Sequence, residues 1–126
     1  MRSDNPPPDV VSVARDFKSL WLAGELHAAG EKYWDDDVVS IVPHALPDGG
    51  DQVCRGIEAV RARNLFWLAT HGIEDLRIDG PFVTGDHFAL FVDMLIAHAG
   101  RRRPHSEIAV FAVRDGRIVE ERFFYE

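Results

Sequence analysis

The spacing of apolar residues changes once along this chain, near residue 72, and that change restricts the fold more than any other feature. Before it, apolar side chains recur every three or four residues; after it, they alternate. Val10, Val13, Ala14, Phe17, Leu20 and Trp21 form the stripe of a core-facing helix, with Asp9 placed to cap its start and Gly24 to end it. A shorter helix carries Leu26, Ala29, Tyr33 and Trp34, and a third follows Gly56 with Ile57, Val60, Asn64, Trp67, Leu68 and His71 down one side. Between them, β-branched Val38 to Val42 reads as a strand stopped by Pro43, and Pro47 to Asp51 as a loop. Further strands are predicted over 73–83, 87–98, 107–113 and 117–125, broken at Gly85-Asp86, at Gly100 and at Asp115-Gly116. Helices first and an antiparallel meander afterwards give an α+β domain over residues 9–126, after a disordered tail over 1–8 that holds three consecutive prolines.

Charge and composition remove several classes of function. A formal net charge of −7 repels a phosphate backbone, so no nucleic-acid partner is expected. No apolar run reaches the ~20 residues of a membrane span, and Met1 to Pro8 lacks the apolar segment of a secretory signal. The lone Cys54 cannot form an internal bridge and points to the cytoplasm. Phosphate loop, nucleophile elbow and paired-cysteine motifs are lacking, so neither cofactor nor metal is expected.

The long strands are apolar on both sides. Phe88, Leu90, Val92, Met94 and Ile96 share one face; Ala89, Phe91, Leu95 and Ala97 share the other. One face packs the helices. The outer one then needs an apolar partner, and a homodimer through that face is the simplest way to supply it.

Four segments carry a family resemblance: "LWLAGEL" at Leu20 to Leu26, "YWDDD" at Tyr33 to Asp37, "GIEAVR" at Gly56 to Arg61 and "VFAVRDGRIVEERFFYE" at Val110 to Glu126. In order and spacing they resemble the SnoaL-like, ketosteroid-isomerase-like members of the nuclear-transport-factor-two-like superfamily. The resemblance implies a cone-shaped α+β barrel, three helices on a strongly bent, mainly antiparallel sheet, holding a small hydrophobic ligand in an apolar pocket. Ketosteroid isomerases use a tyrosine, a base aspartate and a neutral aspartic acid. The matching positions here are Phe17, Val42 and Ala109, so that chemistry is not expected. Limonene-epoxide hydrolases use two aspartates and an arginine; Asp93 matches one aspartate, while Phe91 and Phe123 replace the other groups.

Asp93 interrupts an otherwise apolar strand, and Glu107 opens the next one. A hairpin centred on Gly100 sets them opposite each other, a buried carboxylate pair able to divide into an acid and a base. Neutralisation by Arg122 or by one of Arg101 to Arg103 is the structural alternative. His105, two residues before Glu107, shares its face, and His44 stands near the expected pocket mouth. The expected lining comprises Phe17, Trp21, Val42, His44, Asn64, Trp67, Phe91, His105, Ala109, Phe111 and Phe123. The expected function is that of a lyase, isomerase or hydrolase on a compact hydrophobic oxygenated molecule, with Asp93 and Glu107 carrying protons. The alternative is a non-catalytic domain that binds an apolar ligand or dimerises.

Overall fold

A computed structural model describes residues 6–45 and 50–126, so the residues 1–5 of the expected tail and most of the loop after Pro43 lie outside the described residues. Helix α1 (Val10–Leu22) begins where the Asp9 side chain accepts the Ser12 amide at 2.8 Å, and ends at Gly24 with φ +80°, a conformation that glycine adopts without strain. Helix α2 (Leu26–Tyr33) runs directly into strand β1 (Trp34–Ile41). The Asp35 to Asp37 run therefore lies in a strand. A short strand β2 (Val53–Arg55), absent from the periodicity because three residues show no period, precedes helix α3 (Ile57–Thr70).

The remaining strands are β3 (Gly72–Thr84), β4 (His87–His98), β5 (Arg101–Arg114) and β6 (Arg117–Phe124). The sheet is six-stranded in the order β2-β1-β6-β5-β4-β3, with β1 parallel to β6 and every other pair antiparallel. It is mixed and does not close on itself. Its inner face meets the helices through aromatic rings: Phe17 lies 4.8 Å from Phe111 and 5.9 Å from Phe88, and Trp21 6.1 Å from Phe111. Such tilted and edge contacts suit the ring quadrupoles and fill the space between helix and sheet.

The hairpin between β4 and β5 turns on two residues, Ala99 (φ +52°) and Gly100 (φ +75°), so its centre lies between them rather than on Gly100. This two-residue turn matches the twist of the strands it joins. Consequently Asp93 stands opposite Ser106, and Glu107 stands opposite Val92. The expected carboxylate pair does not form, because a shift of one position sends the two side chains to opposite faces. Asp93 is exposed on the outer face and accepts a hydrogen bond from Ser106 Oγ; Glu107 is on the inner face. No ion pair to Arg122 or to Arg101 to Arg103 holds either carboxylate among the described residues.

Candidate functional site

On β5, His105 and Glu107 are two residues apart and so share a face, the one lined by buried Val92 and Met94 across the ladder. His105 Nε2 lies 3.0 Å from Glu107 Oε1, with side chains only 19% and 12% exposed. A carboxylate so placed fixes the imidazole orientation and leaves Nδ1 to meet a substrate. Tyr125, just past β6, packs its ring 5.1 Å from His105 and 5.5 Å from His44. Burial, aided by the charge of Glu107, pushes the Tyr125 phenol above its ordinary value and keeps it a proton donor at neutral pH.

Deeper in the same face sits Glu121. Its Oε1 accepts Trp34 Nε1 at 2.8 Å and its Oε2 accepts Ser40 Oγ at 2.7 Å. Arg63 on α3 in turn donates to Ser40 Oγ and, at 3.5 Å, to the Ser40 carbonyl. Burial pushes the Glu121 carboxyl up, outweighing those two hydrogen bonds and the Arg63 charge; Glu107 pushes the same way. Glu107 and Arg63 thus act in opposite directions on both Glu121 and Tyr125 across the inner face. The outer-face alternation of β6 hides Glu121 from a period-two reading that starts at Ile118. A bulge facing Ala112 and Val113 adds one residue to β6 and turns Glu121 inward. An acidic residue next to a hairpin bulge is the signal that locates it.

The expected lining residues divide by element. Phe17, Trp21, Val42, Ala109 and Phe111 are buried in the core, and Phe123 packs against it. His105 faces inward; His44 is exposed and touches Tyr125. Phe91 is a correction: the register that moves Asp93 outward moves Phe91 with it, to the outer face at 45% exposure. Neither residue therefore shares a face with Phe123, as the epoxide-hydrolase alignment requires. Asn64 turns its amide to His27 Nδ1 on α2 at 2.9 Å, while His27 Nε2 reaches Glu31 at 3.0 Å. The asparagine thus ties α3 to α2. Trp67 stacks on His71 at 4.4 Å, and His71 on His98 at 4.2 Å.

At the helical end, a half-open cavity of about 550 Å³ is lined by Trp21, Leu26, Leu68, His71, Ile73 and Leu76, among others. It lies where α1 turns into α2, beside the end of α3 and the start of β3; its side chains are apolar apart from Trp21 and His71, while about half of the surface it exposes is polar. Among the described residues, no group of three or more His, Cys, Asp or Glu could hold a metal ion, and no helix is long and apolar enough to cross a membrane.

A family model for the SnoaL-like domain matches residues 10–125. Among solved structures, a protein described as a SnoaL-like polyketide cyclase from Mesorhizobium loti is 32% identical, with a TM-score of 0.86 over 94% of this chain and 100% of that one. An NTF2-like protein of unknown function from Burkholderia pseudomallei shares the fold at 14% identity and a TM-score of 0.78, over 94% of this chain and 92% of that one. An LEH-like epoxide hydrolase from M. tuberculosis shares it at 19% identity and a TM-score of 0.70, covering 94% and 86%. No curated protein matches the chain. Three helices on an open mixed sheet, a match along nearly the whole sequence and a relative above 30% identity agree: the chain belongs to the SnoaL-like domain family.

Proposed function

We propose that this domain is a small-molecule enzyme of the lyase, isomerase or hydrolase type, acting in the cytoplasm on a compact hydrophobic oxygenated substrate. His105 carries the proton and Glu107 orients it. The observation that supports this reading is the 3.0 Å His105–Glu107 contact, largely buried on the inner face. A histidine held by a carboxylate can remove a proton next to a carbonyl or activate water, and return the proton afterwards. The Tyr125 phenol, whose ring touches His105, is a group able to donate to an oxygen that gains charge. A fold relative described as an LEH-like epoxide hydrolase agrees with chemistry of this type.

The test is a panel of epoxides, enols and hydroxyketones turned over by the wild type and by His105→Gln and Glu107→Gln. Rates about 100-fold lower in both variants are expected, the usual worth of a positioned acid or base. Equal rates in all three would leave a second reading, a non-catalytic apolar-ligand domain. That reading draws its support from the leucine and isoleucine side chains that line the helical-end cavity.

A further inference from the structure

Arg61 and Arg63 stand two residues apart on α3 and keep different company. Arg61 holds Glu31 and Glu58 in ion pairs. Arg63 is half-buried and reaches β1, where it donates to Ser40 Oγ and, at 3.5 Å, to the Ser40 carbonyl. Ser40 Oγ gives its own hydrogen to Glu121 Oε2 at 2.7 Å, so toward the guanidinium it acts as an acceptor, and it fixes the group in place. Two of the five N–H groups of a guanidinium are engaged in this way; among the described residues no carboxylate stands at ion-pair distance from Arg63. The carboxylates nearby serve other groups: Glu107 lies 3.0 Å from His105, and Glu121 accepts from Trp34 and Ser40. Arg63 is nevertheless close to the reacting groups. Its charge works against the rise that burial and Glu107 cause at the Tyr125 phenol, and the Tyr125 ring lies 5.1 Å from His105. A guanidinium partly withdrawn from water, held still and without a counter-charge is a receptor for a carboxylate, whose two oxygens match its planar fork.

We infer that Arg63 determines the specificity of the His105–Glu107 site, and that the substrate class is a compact oxo acid whose carboxylate Arg63 receives while its ketone turns to His105 and Tyr125. The preference follows from the charge. A neutral ketone of the same shape leaves the guanidinium without a counter-ion, and a cationic one is repelled by it. A role as a mere tether has a different signature: loss of Arg63 would then loosen α3 from β1 and weaken charged and neutral ligands alike. The inference deepens the proposed function and rests on it for the place of the reacting groups.

The experiment is an NMR titration of the full chain with 4-oxocyclohexanecarboxylate and with 4-oxocyclohexanecarboxamide, the same ring ketone with and without a charge. The carboxylate is expected to bind about tenfold more tightly at low salt, the worth of one charge-assisted hydrogen bond, and to lose part of that lead as salt is added. Arg63→Gln should bind both probes equally, and Arg63→Lys should keep part of the preference. Equal affinities for the wild type, failure of the carboxylate to bind, or a preference that survives in Arg63→Gln overturns the inference. Should Arg63→Gln fail to fold, the wild-type titrations at low and high salt decide. Exchange of the hydrogens beside the ketone, followed in D₂O on the same samples, keeps the two readings apart. His105→Gln is expected to lose exchange and retain the carboxylate preference. A preference without exchange in the wild type would support this inference and remove the proton-transfer reading; exchange with equal affinities would overturn this inference alone.

Discussion

Trp34 Nε1 donates to Glu121 Oε1 at 2.8 Å, joining the first residue of β1 to the middle of β6 inside the core. The contact depends on a third residue. Gly30 of α2 lies against the indole so closely that an added Cβ would sit 2.3 Å from Trp34 Cζ2. Alanine at this helical position should gain up to about 1 kcal/mol in intrinsic propensity. We nevertheless expect Gly30→Ala to destabilise the domain by about 1–3 kcal/mol, through overpacking and displacement of Trp34. Denaturant unfolding, with the tryptophan emission as probe, measures it; a gain in stability would show that the indole moves freely.

The buried carboxyl of Glu121 has a signed pH dependence. Burial holds it above the ordinary carboxylate range in the folded chain. Below about pH 4.3 both folded and unfolded states hold the proton, and the full contribution of the group is present. As pH rises from there toward the raised folded value, the unfolded chain ionises first, the folded state binds more protons, and stability falls. Glu121→Gln cannot ionise and should lack this decline, so its unfolding free energy should gain on that of the wild type as pH rises. Parallel curves would contradict the burial argument. Glu121→Ala, which strands the Trp34 and Ser40 donors, should cost about 2–4 kcal/mol at low pH and less as the wild type loses stability with rising pH.

Much of the fold is legible in the sequence because the helices and the long strands carry their own periods. The change near residue 72, the Asp9 cap and the Asp115-Gly116 turn each fall where the structure has them. Site geometry is harder to read, since it depends on single-residue displacements that composition does not encode. A hairpin centred on Gly100 and one centred between Ala99 and Gly100 look alike in one dimension, yet they send Asp93 to opposite faces. The β6 bulge has the same effect on Glu121. His105 and Glu107 escape this ambiguity, because two residues on one strand share a face whatever the register.

The turn itself can be tested. Ala99 sits at φ +52°, where an L side chain is strained and Gly or Asn is not. Ala99→Gly is expected to raise stability by about 0.5–1 kcal/mol, seen as an increase in Tm. Loss of stability would argue for the other centring of the hairpin.

Across the outer face, Phe91, Ile108 and Phe124 are direct cross-strand neighbours, and Phe82 lies 5.1 Å from Phe91. All four are exposed. We propose that a second copy of the chain covers this row, because a contiguous apolar patch on four adjacent strands is a poor surface to leave in water. Sedimentation equilibrium should give a dimer for the wild type and a monomer for Ile108→Glu with unchanged circular dichroism. A monomeric wild type at 100 µM would refute the assignment.

The inward turn of His105 and Glu107, and the outward turn of Asp93, carry the whole functional account. Hydrogen–deuterium exchange at the carbon beside the carbonyl of a cyclic ketone, followed by ¹H NMR in D₂O, tests them with the least chemistry added. The account expects exchange above the buffer rate with wild type and with Asp93→Asn alike, and about 100-fold less with His105→Gln and with Glu107→Gln. Exchange lost in Asp93→Asn but kept in His105→Gln would contradict it.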